Sequence, residues 1–247
     1  MRMNHRLHGN RQNRGRGFSM LEMLIVMLVS LIIAALAIPS FNQVRRTLRI
    51  SGDARDLNGA INQAKMQAAA DFTRARVYAD FTVPNRGSFH VEVWNKALNG
   101  GNGCWQTVGD PIAGPPFVRC TVPGTSPVQT LSDQVIFGFA GAPGAPPNTQ
   151  AGIAQAPACQ NIAGGGGTIG NTACVVFNSR GMPIFPGRGE VGVAVAPTGN
   201  DALYLTECIP AGNNACASSV VYGITVGPTG VSQVWQAGVN AGNWYHK

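Results

Sequence analysis

Few residues of this 247-residue chain have the type and spacing to do chemistry, and the clearest is a carboxylate set inside an apolar run. Phe18 to Ile38 reads FSMLEMLIVMLVSLIIAALAI, broken only by Ser19, Glu22 and Ser30. An unpaired carboxylate in such a segment costs roughly 2.5–3.5 kcal/mol on membrane insertion, so Glu22 needs a partner. A cut between Gly17 and Phe18 supplies one, because the new α-amine lies four residues from Glu22. The pair can close within one helix or between neighbouring helices. It is worth most between helices in an apolar bundle, where breaking it leaves a buried charge unmatched, and there it would set the axial register of stacked subunits.

The other reactive side chains are sparser. Cys104, Cys120, Cys159, Cys174, Cys208 and Cys216 all lie well beyond the apolar run. Sequence leaves their connectivity open, and pairing of neighbours is the simplest scheme, Cys104–Cys120 and Cys159–Cys174 each closing a loop of about 15 residues worth roughly 3 kcal/mol. With no Cys-x-x-Cys and no histidine nearby, disulfides in an oxidising compartment are expected rather than a metal site. His5, His8, His90 and His246 are too scattered for a metal cluster or hydrolytic triad, and His90 reads as a solvent-facing strand residue. The run Gly164 to Gly167 lacks a following Lys-Ser/Thr and reads as linker, not phosphate loop. No enzyme activity and no cofactor are expected.

The element that must position Glu22 is the apolar run itself. As a helix its 21 residues span about 32 Å, matching a hydrocarbon core of roughly 30 Å. Of the formal net charge of +7, five units come from Arg2, Arg6, Arg11, Arg14 and Arg16 in residues 1–17, which hold no acid. The positive-inside rule keeps these arginines cytoplasmic and places everything after Ile38 outside. A secretory signal peptide is the competing reading: Ala35-Leu36-Ala37 offers an A-x-A site whose use would release a secreted disulfide-bonded enzyme or binding domain. Such a peptide gains nothing from Glu22, and its apolar core is usually about 7–15 residues.

Beyond the membrane segment, 45% hydrophobic and 12% charged residues exclude a charged disordered chain, and 32 glycines with 16 prolines predict a loop-rich, strand-rich body. The order is a leader over 1–17, a transmembrane helix over 18–38, an amphipathic continuation over 39–74 and an external β-rich domain over 75–247. In the continuation Val44, Leu48, Leu57, Ile61, Ala64, Ala68 and Phe72 form one apolar stripe expected to pack on a sheet. Alternation predicts strands over 76–83 and 88–94, joined at Pro84 to Gly87 as a hairpin. Later candidates are 135–139, 174–177, 191–196, 203–207, 219–226 and 231–236, the last two joined by Gly227-Pro228-Thr229-Gly230. One long helix followed by antiparallel strands is an α+β layout. The stretches 99–129 and 141–170 read as surface insertions.

The segment Gly17-Phe18-Ser19-Met20-Leu21-Glu22-Met23-Leu24 resembles the prepilin cleavage and methylation motif of type IV pilins and type II secretion pseudopilins. The resemblance implies cleavage after Gly17 by the prepilin peptidase, N-methylation of Phe18, a role for Glu22 in docking into a helical filament, and a helix kink at Pro39. The whole order is similar to the GspH/FimT type of minor pilin or pseudopilin, in which a β-sheet domain wraps the helix, and Val176-Phe177-Asn178-Ser179-Arg180-Gly181 is similar to a turn of that family. The implied function is assembly of a type IV pilus or type II secretion pseudopilus, with other pilins and inner-membrane lipid as partners and the C-terminal domain in the periplasm.

Some FimT-like pilins bind DNA, and the same fold serves in DNA-uptake or adhesion pilins. Here Gly187-Arg188-Gly189-Glu190 has an acid where a second arginine would complete the arginine-bearing motif of the DNA-binding members. Residues 87–247 hold five basic and six acidic groups, so phosphate-dominated binding lacks its driving force. Arg45, Arg46, Arg49 and Arg55 read as a solvated helix face that attracts lipid headgroups.

Overall fold

The computed structural model describes residues 19–82, 87–97, 101, 103–109, 128–160, 167–184, 201–211, 215–217, 219–239 and 242–247. The chain divides into one unit through Arg45 and a second from Arg46 onward. Both draw on helix α1 (Met20–Ala70).

In the first unit Ser19 precedes the helix, and its carbonyl accepts from the Met23 amide at 3.2 Å. Leu21, Leu24, Ile25, Leu28, Leu31 and Ile32 all stand exposed on this helix. No helix among the described residues is long and apolar enough to cross a membrane. The backbone stays helical through Pro39, where the sequence predicts a kink, and that side chain lies outside the described residues.

In the second unit the helix buries Ile50, Ala54, Leu57, Ile61, Ala64 and Ala68. Steps of four and three at about 100° per residue keep these six on one face. The predicted stripe is corrected at both ends. Leu48 precedes Leu57 by nine residues, half a turn out of phase, so it lies opposite the buried face and is 65% exposed, and Val44, in the first unit, is 54% exposed. Phe72 is 82% exposed because the helix ends at Ala70, not near Arg74. There the Thr73 amide bonds back to the Ala68 carbonyl, and Phe72 takes φ +48°, the left-handed conformation of a Schellman-type end.

Two antiparallel sheets receive the helix. The first is ordered β3 (Cys104–Thr107), β2 (Ser88–Asn95), β1 (Ala75–Asp80), β6 (Thr172–Phe177), β7 (Pro183–Ile184), with β4 (Gln129–Thr130) also paired to β2. The second is ordered β13 (Trp244–His246), β12 (Ser232–Gly238), β11 (Val220–Val226), β8 (Asp201–Glu207), β5 (Val135–Phe137). A separate pair joins β9 (Ile209–Ala211) to β10 (Ala215–Ala217). Helix residues share one core with Val77, Ala79, Phe89, Val91 and Val175 from the first sheet and Leu203, Leu205, Ile224 and Val226 from the second. The antiparallel β domain expected against the helix is thus built as two sheets, both packed on one helix face.

The predicted 76–94 and 219–236 hairpins both form, the latter closed by the Gly230 amide on the Gly227 carbonyl. The strand expected over 191–196 lies outside the described residues. The two stretches read as surface insertions are corrected in part. β3, inside 99–129, is buried at all four residues because it extends the first sheet at β2. Within 141–170, Ala156 enters the core and its amide bonds to the Ala202 carbonyl, while the Gln155 side chain bonds both the amide and the carbonyl of Tyr204. Polar side chains there supply ladder bonds that a strand would otherwise make, which an alternation search does not detect.

Candidate functional site

Ser19-Met20-Leu21-Glu22 has the S-x-x-E spacing of a helix N-terminus, and Glu22 is an exposed acid in the first turn of α1. A carboxylate there is also stabilised by the positive end of the helix dipole, an effect of about 0.3–1 kcal/mol. Gly17 and Phe18, the expected processing site, lie outside the described residues. The arginines past the apolar run split in role. Arg45 stands over the Phe41 ring, Arg46 lies 3.8 Å from Glu207, and Arg49 and Arg55 are exposed.

A second group of polar residues lies on the face of the first sheet turned away from the helix. Hairpin register places Arg76 opposite Glu92 and Tyr78 opposite His90. Arg76 and Glu92 form an ion pair whose side chains are only 4% and 6% exposed. The guanidinium lies 4.1 Å from the Trp105 ring centre and 5.3 Å from that of Tyr78, and its Nη1 donates to the Gln160 carbonyl at 2.8 Å. His90 Nε2 is 3.2 Å from the second oxygen of Glu92, and its ring stacks on Tyr78 at 5.0 Å. Burial works against the Glu92 carboxylate, but Arg76 and the His90 contact outweigh it and hold its pKa below the ordinary value. Arg76 loses more to burial than it regains from Glu92, so its pKa is lowered, yet a guanidinium starts high enough to stay charged.

This arrangement corrects the reading of His90 as solvent-facing: its side chain is 12% exposed. Every second β2 residue does turn away from the helix, but that face is covered by Trp94, Trp105 and the Cys159–Cys174 disulfide rather than by water. The ion pair leaves only an indirect mark in the sequence. Its signal was the hairpin, in which paired positions sum to 168 and therefore match Arg76 with Glu92. The Glu92 carboxylate is sealed from solvent and held by a guanidinium on one oxygen and an imidazole on the other, the arrangement of a buried ion pair.

The expected Cys159–Cys174 disulfide is present, with both residues fully buried. Cys104 and Cys208 are also disulfide-bonded. Cys120 and the side chain of Cys216 lie outside the described residues. Among the described residues no three His, Cys, Asp or Glu side chains gather as a metal site. In the turn after β6, Asn178 Oδ1 accepts from the Arg180 and Met182 amides and Gly181 takes φ +72°. Arg180 is exposed there, and Arg188 lies outside the described residues. A groove of about 550 Å³ at the end of the helix is lined by Phe72, Val93, Asn95, Gln106 and Val108 among others.

Residues 12–38 match the family model for the prokaryotic N-terminal methylation motif. The chain therefore carries a type IV pilin-like prepilin motif, which implies processing by a prepilin peptidase, membrane anchoring and incorporation with other pilins into a filament. No curated protein and no solved structure matches the chain.

Proposed function

We propose that this prepilin-motif chain is a minor pilin or pseudopilin of the GspH/FimT kind, a structural subunit for a type IV pilus or type II secretion pseudopilus. The precursor is a single-pass inner-membrane protein with its C-terminal domain in the periplasm. Cleavage after Gly17 and methylation of Phe18 release a subunit whose helix joins a helical stack. The observation that carries this reading is the motif at 12–38 running directly into a helix with Glu22 in its first turn. Exposed leucines and isoleucines along the first unit support it, since such side chains are stable only against lipid or other helices. The α+β second unit, built as helix plus antiparallel sheets, is consistent with it.

N-terminal sequencing and intact mass of the protein recovered from membranes provide the test. A mature chain beginning at methylated Phe18 is expected. A chain beginning at Ile38 would mean signal-peptide cleavage and remove the proposal.

A further inference from the structure

The seal over the buried Arg76–Glu92 pair comes from a segment remote in sequence. Pro157 to Gln160 runs beside β6, and Thr168 and Ile169 pair antiparallel with its far end. It is anchored on one side by the Ala156 amide on the Ala202 carbonyl. Along its length the Cys174 amide bonds to the Pro157 carbonyl, the Cys159 amide to Thr172 Oγ1, and the Ile169 amide to the Cys159 carbonyl. Gln160 then places its carbonyl on Arg76 Nη1. The single covalent tie described between this strap and the sheet is Cys159–Cys174, packed in one apolar cluster with Trp94, Trp105, Val176 and Ile184.

We infer that this segment is a redox-locked strap: while Cys159–Cys174 is oxidised it seals the Arg76 guanidinium beneath it, and with both sulfurs reduced it lifts and admits water to the outer face of the first sheet. Reduction breaks the S–S bond and forms two thiols. Both electrons and both protons come from a dithiol, which closes to its own disulfide. The sulfurs are fully buried, so a dithiol meets them only through transient opening of the strap, and the oxidised lock persists in an oxidising compartment. The helix-facing core uses none of the strap's residues beyond Ala156, so lifting leaves it in place. Once its carbonyl partner is withdrawn the guanidinium takes up water in its place, and that water also reaches Glu92 and Trp105.

The test compares the full chain in detergent with the C159A/C174A double variant, which leaves the disulfides of Cys104 and Cys208 intact. Hydrogen exchange of peptides covering 157–160 and 168–171 is read beside peptides covering Leu57 to Ala68 and β8. Phenylglyoxal modification of Arg76 is read by mass spectrometry. Closing a 15-residue loop biases the strap by roughly a hundredfold, so strap exchange should rise by about that factor and Arg76 should become modified, with the helix and β8 unchanged. Unaltered strap protection and an unmodified Arg76 would overturn the inference. So would loss of protection everywhere, which would make the disulfide a bond of the whole domain rather than of a strap.

Discussion

Glu22 and Glu92 show how one residue type serves two ends. Glu22 is exposed at a helix start, where its cost is deferred to the membrane or filament it enters. Replacing it with Ala should leave cleavage after Gly17 largely intact and reduce incorporation into filaments, seen as processed subunit retained in membranes. Normal incorporation would sink the register argument. Glu92 has its cost settled internally by Arg76. Its folded pKa is depressed, so the pair's contribution is fully present above the ordinary value of 4.5 and is lost as pH falls from there through the folded value. Glu92→Gln should therefore cost about 3–5 kcal/mol at pH 7, by leaving a buried guanidinium unpaired, and less at pH 4. Denaturant melts at the two pH values check this, and an equal loss at both would contradict it.

At the scale of elements, two turns and the helix meet at one point. Lys65 Nζ donates to the Gly230 carbonyl at 3.0 Å, and a Cβ at Gly230 would fall 2.1 Å from the Gly181 carbonyl oxygen. Gly230 also has φ +74°, so this is one of the few positions where glycine is demanded twice, by space and by backbone. Gly230→Ala should cost about 2 kcal/mol or more, measured as a shift in the melt, because the turns at 178–182 and 227–230 must separate. The strap of 157–160 follows a similar logic. Its place in the fold comes from hydrogen bonds to β6 and from a disulfide, not from any periodic pattern of its own.

Across the second unit, burial sorts the helix into two faces with different work. Ile61 is fully buried between the two sheets, and Ile61→Ala should destabilise by about 2–5 kcal/mol. Leu48 stands half a turn away and exposed. Leu48→Ser should change the same melt by less than about 0.5 kcal/mol, yet reduce assembly if that face meets another subunit. A large loss of stability from Leu48→Ser would show that the face is occupied within the monomer. The paired melts read one quantity on two sides of a single helix.

What the sequence determined by itself was local: the prepilin motif, the long helix and the two hairpins follow from neighbouring residues, whose spacing constrains them directly, whereas the Cys159–Cys174 pairing was one of several the sequence left open and the fold selected it. The apolar stripe was legible from Leu57 to Ala68 and misassigned at Leu48, because a gap of nine residues accumulates half a turn of phase. The tertiary structure decided everything that depends on segments far apart in the chain. It divided the β domain into two sheets on the helix, turned β3 and Ala156 inward, and covered His90. It also enclosed Arg76, because the hairpin supplied its carboxylate and a strap more than eighty residues away supplied the carbonyl that closed it from water. Local chemistry is written in neighbours, whereas burial is a property of which distant segments arrive together.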